Sequence, residues 1–122
     1  MAGLENLIGS EVIYKGNEKV KTESFSGEGK VLGIYFSAHW CPPCRAFTPA
    51  LAEWYKTVKE SDNGINFEIL FVSSDRDQAA FDEYFAEMPW KALPYEDRDR
   101  KVRFSTFWTI RLVCSIACYQ FY

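Results

Sequence analysis

Two short uninterrupted apolar runs organise the pattern of this chain, Val31–Phe36 and Phe67–Val72. A continuous run bounded by polar residues fits a strand buried on both faces, as in a partly parallel sheet. Between them, Cys44–Glu60 reads as a helix, because Phe47, Leu51, Trp54 and Val58 recur at spacings of four, three and four. That stripe is assigned to the core. Pro49 is expected to bend this helix, since it lacks an N–H and crowds the preceding turn. Ser61-Asp62-Asn63-Gly64 ends it. After the second run, Asp77 has the chemistry of an N-cap for a helix over Gln78–Met88, with Phe81, Tyr84, Phe85 and Met88 as its core face and Pro89 as its stop. Near the start, Glu11–Tyr14 reads as a short strand, Lys15-Gly16-Asn17 as a turn, and Glu18–Thr22 as the return of a hairpin. Gly27-Glu28-Gly29-Lys30 then breaks the chain. Strand, helix, strand, helix in this order predicts an α/β fold with right-handed crossovers.

The last segment carries two periods at once. Phe104, Trp108, Ile110, Leu112, Cys114, Ile116 and Cys118 alternate with more polar neighbours, whereas Ile110, Val113, Cys114, Ala117, Cys118 and Phe121 form a helical stripe. β-branched and aromatic enrichment favours a strand within Arg111–Cys118. From Val102 to Tyr122 there is no Gly, Asn, Asp or Pro, so a tight hairpin has no support there.

Length and composition narrow the function. The 122 residues are read as one domain, and 48% hydrophobic content is enough for a core. A net charge of −3 argues against a nucleic-acid footprint. The mixed cluster Glu96–Arg103 lacks interleaved aromatics and reads as a solvated helix start. No basic, apolar leader opens the chain, and Leu112–Tyr119 is too short to span a bilayer, so neither export nor a membrane is expected. Four cysteines without a leader suggest a reducing compartment rather than a disulfide framework.

Trp40-Cys41-Pro42-Pro43-Cys44-Arg45 follows the first apolar run directly. Two cysteines with two residues between them can hold a metal or cycle as a dithiol. Placement at a strand-to-helix junction favours the dithiol. A helix starting near Pro43 would put Cys41 at its N-terminus, where unpaired N–H groups and the helix dipole favour a thiolate. Cys44 lies one turn on, on the same face. Pro42 and Pro43 stiffen the loop and are compatible with a first helical turn. His39 is expected to face solvent, and Arg45 to be a surface residue that could also steer acidic partners or promote the Cys41 thiolate. Cys114 and Cys118 are expected to be buried, inert thiols. A four-thiolate zinc site with Cys41 and Cys44 is disfavoured by the helix-start placement, so no metal is expected.

The chain resembles the thioredoxin superfamily, closest to its tryparedoxin and nucleoredoxin branch. The residues that carry the likeness are Tyr35–Pro49, then Phe71-Val72-Ser73-Ser74-Asp75 and Met88-Pro89-Trp90, within residues 10–101. The resemblance implies a central mixed sheet flanked by helices, an exposed dithiol at a strand-to-helix junction, and thiol–disulfide oxidoreductase activity in the cytosol or nucleus. No cofactor is implied. In this reading Cys41 attacks a substrate disulfide and Cys44 resolves the mixed disulfide. Trp40 and Trp90 border the dithiol, and Trp90 and Arg45 are candidate substrate contacts. Partners would be protein disulfides and an electron donor the sequence does not name.

Two departures from the family matter. Tyr35 stands where ordinary thioredoxins carry a buried Asp that assists the second cysteine, and a phenol is a poor base at neutral pH. Glu68 in the second apolar run is another acid that could face the same interior, and the sequence does not assign the proton acceptor. After Pro94 there is no proline to supply the family's cis-proline loop, so residues 102–122 are a divergent ending expected to retain dithiol chemistry while weakening protein docking. The alternative reading is a redox-responsive interaction protein that regulates a signalling partner, with turnover secondary.

Overall fold

The computed structural model describes residues 8–9, 11–15, 18–25, 29–62, 64–95 and 115–120, the last six and residue 65 by their backbone alone. The charge cluster Glu96–Arg103, the segment through Cys114, and the Cys118 side chain therefore lie outside the described residues.

Six strands form one sheet in the order β2-β1-β5-β4-β3-β6. They are β1 (Glu11–Tyr14), β2 (Glu18–Lys21), β3 (Val31–Ser37), β4 (Phe67–Ser73), β5 (Lys91–Ala92) and β6 (Ser115–Gln120). The two apolar runs are its centre. β3 and β4 pair in parallel from Val31 opposite Phe67 to Ser37 opposite Ser73. β5 extends this parallel set beside β4, and β1 pairs antiparallel to it through Ile13 and Ala92. The expected hairpin is present, with Glu11 opposite Lys21 and Tyr14 opposite Glu18. β6 lies antiparallel to β3 on its other side, from Phe36 opposite Ser115 to Val31 opposite Gln120. A strand was expected in that region, and it sits further toward the C-terminus than Arg111–Cys118. The two-residue β5 has too few residues to show any period and was not anticipated.

Helix α1 spans Pro42–Glu60 and α2 spans Gln78–Phe85. Asp77 caps α2 as expected, its carboxylate accepting from the Ala80 amide at 2.8 Å. Such a cap is worth about 1 kcal/mol. α2 ends before Met88, yet Phe81, Tyr84, Phe85 and Met88 are all buried.

The α1 core face differs from the expected stripe. Phe47 is 43% and Trp54 50% exposed, while Cys44, Thr48, Leu51, Ala52 and Tyr55 are buried. The helix is rotated because the hydroxyls of Thr48 and Tyr55 find buried partners, which removes the cost of burying them. Trp54 instead lies edge-on against Phe67, ring centroids 5.3 Å apart.

Alternation along the central strands divides the core in two. Tyr35, Ile69 and Phe71 join residues of α1 and α2 in one cluster, so both helices cover that face. Leu32, Ile34, Phe36, Leu70 and Val72 meet Ile8, Val12, Phe25 and Leu93 in the other.

Candidate active site

β3 ends at Ser37, and the chain passes through Ala38 and a turn at His39–Trp40 into Cys41. Cys41 is the N-cap of α1, with extended backbone (φ −98°, ψ 108°), and Pro42 and Pro43 occupy the first helical positions. A missing N–H costs nothing there, so the two prolines start the helix sharply. The Cys41 amide donates to the Ala38 carbonyl at 3.2 Å, and the Arg45 amide to the Cys41 carbonyl at 3.1 Å. Cys41 is part-exposed and Cys44 is fully buried, both as free thiols. Their Sγ atoms are 2.6 Å apart, in hydrogen-bonding contact. Closing a disulfide between them needs little movement of the backbone.

The Cys41 pKa is raised from its ordinary value. The main cause is the hydrogen bond with the Cys44 sulfur, followed by desolvation. The Cys44 backbone N–H and the Arg45 charge act the other way. The helix start and Arg45 thus favour the thiolate as expected, but the adjacent sulfur outweighs them in this geometry. The lowering N–H is fixed by the helix.

A second loop holds the turn before Cys41. The Asp75 carboxylate, 4% exposed, accepts from the His39 amide at 2.7 Å and from the Ser73 hydroxyl at 2.7 Å. The Ser73 oxygen in turn accepts from the Asp75 amide at 2.9 Å. The Ser74 amide donates to the Ser37 carbonyl at 2.9 Å, and the Trp40 Nε1 to the Ser74 carbonyl at 3.0 Å. These bonds tie together the C-terminal ends of β3 and β4, the edge where open α/β sheets place their ligands.

Beneath the dithiol lies a buried set of hydroxyls. Thr48 Oγ1 donates to the Cys44 carbonyl at 2.8 Å. With its single proton used, it accepts from Tyr35 Oη at 2.8 Å and Tyr84 Oη at 2.6 Å. The Ser37 hydroxyl completes the group at 2.7 Å from Tyr84 Oη. Burial pushes the Tyr84 phenol well above the usual tyrosine range.

Of the residues singled out in the sequence, Trp40 is at the rim, 46% exposed, and Arg45 is exposed in the first turn of α1. Trp90 is corrected. It is 0% exposed, edge-on to Tyr35 and Tyr55 within the core, and cannot touch a substrate from there. The Met-Pro-Trp triplet turns its indole inward to cover the sheet. His39 is also not free in solvent, since its ring stacks on Tyr84 at 5.2 Å. Glu68 is buried at the opposite end of β4, paired with Lys91 Nζ at 2.7 Å and accepting from Tyr55 Oη at 2.6 Å, so it does not serve the dithiol. Asp75, Thr48, Ser37 and Tyr84 were not foreseen as site residues. Asp75 and Thr48 lie inside quoted motifs, but their roles depend on contacts across the sheet.

Residues 29–112 match the family described as thioredoxin-like. The chain belongs to that family. Human nucleoredoxin is 50% identical over 95 residues, covering 78% of this chain and 21% of the relative. Probable nucleoredoxin 1 of Arabidopsis thaliana is 57% identical over 79 residues, 65% of this chain and 13% of the relative. The chain thus spans about a fifth or less of these relatives. Among solved structures, tryparedoxin II from C. fasciculata superposes with a TM-score of 0.86 at 35% identity, over 97% of this chain and 79% of that one. These likenesses fix the tryparedoxin and nucleoredoxin branch and the thioredoxin-like fold, and with them thiol–disulfide redox chemistry as the family's function. Among the described residues, no helix is long and apolar enough to cross a membrane.

Proposed function

We propose that this thioredoxin-like chain, acting as one domain over residues 1–122, reduces protein disulfides through Cys41-Pro42-Pro43-Cys44. The observation that carries the reading is the contact between a part-exposed sulfur at the helix start and a buried one 2.6 Å away. Cys41 is the accessible nucleophile. Its thiolate attacks a substrate sulfur, a mixed disulfide forms, and the first substrate thiol leaves. Cys44 then attacks the Cys41 sulfur, closes the protein disulfide and releases the second thiol. Trp40, Pro42 and Pro43 shape the loop, and Arg45 favours the thiolate. An external thiol donor returns the pair to the dithiol. Tryparedoxin II has been solved in complex with glutathionylspermidine, which makes low-molecular-weight thiols candidates for that donor here. The chain works without a metal or organic cofactor, in the cytosol or nucleus.

The test is trapping. Cys44→Ser should accumulate a mixed disulfide at Cys41 with a protein substrate, and Cys41→Ser should abolish reduction. A mixed disulfide at any other cysteine of the Cys44→Ser protein contradicts the assignment.

The likeness to nucleoredoxins favours a second reading, in which oxidation of the dithiol alters the surface seen by a signalling protein. Partner binding that persists in the Cys41→Ser/Cys44→Ser protein, with negligible turnover in the unaltered one, would select it.

A further inference from the structure

The rim of the dithiol carries an exposed indole and two cations that disulfide exchange alone does not require. Trp40 immediately precedes Cys41, and its ring is held in place by the Nε1 bond to Ser74. The Arg76 guanidinium lies over that ring, 5.3 Å from its centroid. A guanidinium held over an aromatic ring by a cation–π contact still has N–H donors to offer, and their fork matches a carboxylate bidentately. Arg76 itself is exposed. The acids on either side of it are engaged elsewhere. Asp75 uses both oxygens inward, on His39 and Ser73, and Asp77 caps α2. The second cation, Arg45, is exposed in the first turn of α1, which contains no acidic residue, and its charge reaches Cys41. Among the described residues neither arginine forms an ion pair. On a chain of net charge −3, two cations without an ion-pair partner among the described residues thus flank the turn that carries the reacting sulfur, Arg76 over Trp40 and Arg45 in the first turn of α1.

We propose that this rim selects disulfides that carry carboxylates beside their sulfur atoms, with Arg76, braced on Trp40, as the specificity-determining residue and Arg45 as its companion. This rests on the reading of Cys41 and Cys44 as an exchange centre. In the selected reaction the Cys41–sulfur bond forms as the substrate S–S bond breaks, and the departing thiolate takes a proton from water. Cys44 loses its proton to water and displaces the second carboxylate-bearing thiol. The protein gives up two electrons and the substrate gains two. The arginines supply no electrons or protons. They hold the carboxylates next to the attacking sulfur.

The experiment is single-turnover oxidation of fully reduced protein by dithiodipropionate, hydroxyethyl disulfide and cystamine, which are anionic, neutral and cationic. Each rate is divided by that of dithiothreitol with the same disulfide, which removes intrinsic reactivity. At low salt the normalised anion-to-cation ratio should be roughly tenfold, and it should fall toward one at about 0.5 M salt, as a rim attraction is screened. R76E should invert the ratio. K56E changes the net charge equally but sits fifteen residues further along α1 than Cys41, about 22 Å away, and should leave the ratio as it is. A ratio near one at low salt, a ratio unmoved by salt, or an equal shift in K56E and R76E would overturn the inference. If R76E does not fold, the salt series on the unaltered protein decides. Failure of hydroxyethyl disulfide to oxidise the protein at all would instead overturn the reading of the dithiol itself.

Discussion

Replacing Asp75 with Ala should both loosen the active-site turn and destabilise the domain. The carboxylate is buried and accepts two hydrogen bonds at 2.7 Å, from the His39 amide and the Ser73 hydroxyl. Hydrogen bonds to a charged acceptor contribute about 1.5–3 kcal/mol each. The His39 amide is only part-buried, so water recovers some of its share. A net loss of about 3 kcal/mol follows. For a domain of this size, 1 kcal/mol moves the melting temperature by roughly 4 °C, so Asp75→Ala should melt about 12 °C lower. The loss is local as well as global. The His39 amide loses its Asp75 acceptor, and its hydrogen exchange should accelerate roughly a hundredfold relative to amides of β4. Asp62→Ala is the control, since that exposed acid should shift stability by less than about 0.5 kcal/mol. Thermal melts by circular dichroism, with exchange read by NMR, make the comparison. A melting temperature within about 2 °C of the unaltered protein, together with unchanged exchange at His39, would refute the clamp.

Further expectations concern alkali, a close packing contact and metal. Burial and the Glu68 charge raise the Tyr55 pKa, and burial raises that of Tyr84. The folded state keeps both phenols protonated after unfolded tyrosines ionise near pH 10, so their contribution is complete below about pH 10 and is lost as pH rises beyond it. Absorbance of phenolate and circular dichroism should change together in that range, and early ionisation of all tyrosines without unfolding would contradict it. At Gly64 an added Cβ would strike the backbone of Lys59 in the last turn of α1, so Gly64→Ala should cost about 1–3 kcal/mol of stability, read as a lower denaturant midpoint. Purified protein should contain no stoichiometric zinc, and chelators should leave its melting temperature unchanged. One tightly held equivalent whose removal unfolds the chain would replace the dithiol reading with a structural metal.

What could be read from the sequence was what depends on neighbours along the chain. The runs in β3 and β4, the Asp77 cap and the prolines after Cys41 are local patterns, and each placed its element. The α1 face was misread because apolarity alone selected Phe47 and Trp54. The buried face includes Thr48 and Tyr55, whose hydroxyls are satisfied by Tyr35, Tyr84 and Glu68 from other elements. Trp90 was placed at the rim for its amphipathic ring and lies in the core. Asp75 acts on His39 across 36 positions, and Arg76 lies over Trp40 across a comparable gap, so no local pattern could reveal either.

The division of labour between the two cysteines is the centre of this account. Its most direct measurement is limited alkylation of the fully reduced protein by iodoacetamide, with the modified cysteine located by peptide mass spectrometry. Cys41, part-exposed at the helix start, should be modified first, and Cys44, buried beneath it, should remain protected until the protein is denatured. Modification of Cys44 before Cys41 in the folded protein would contradict the assignment.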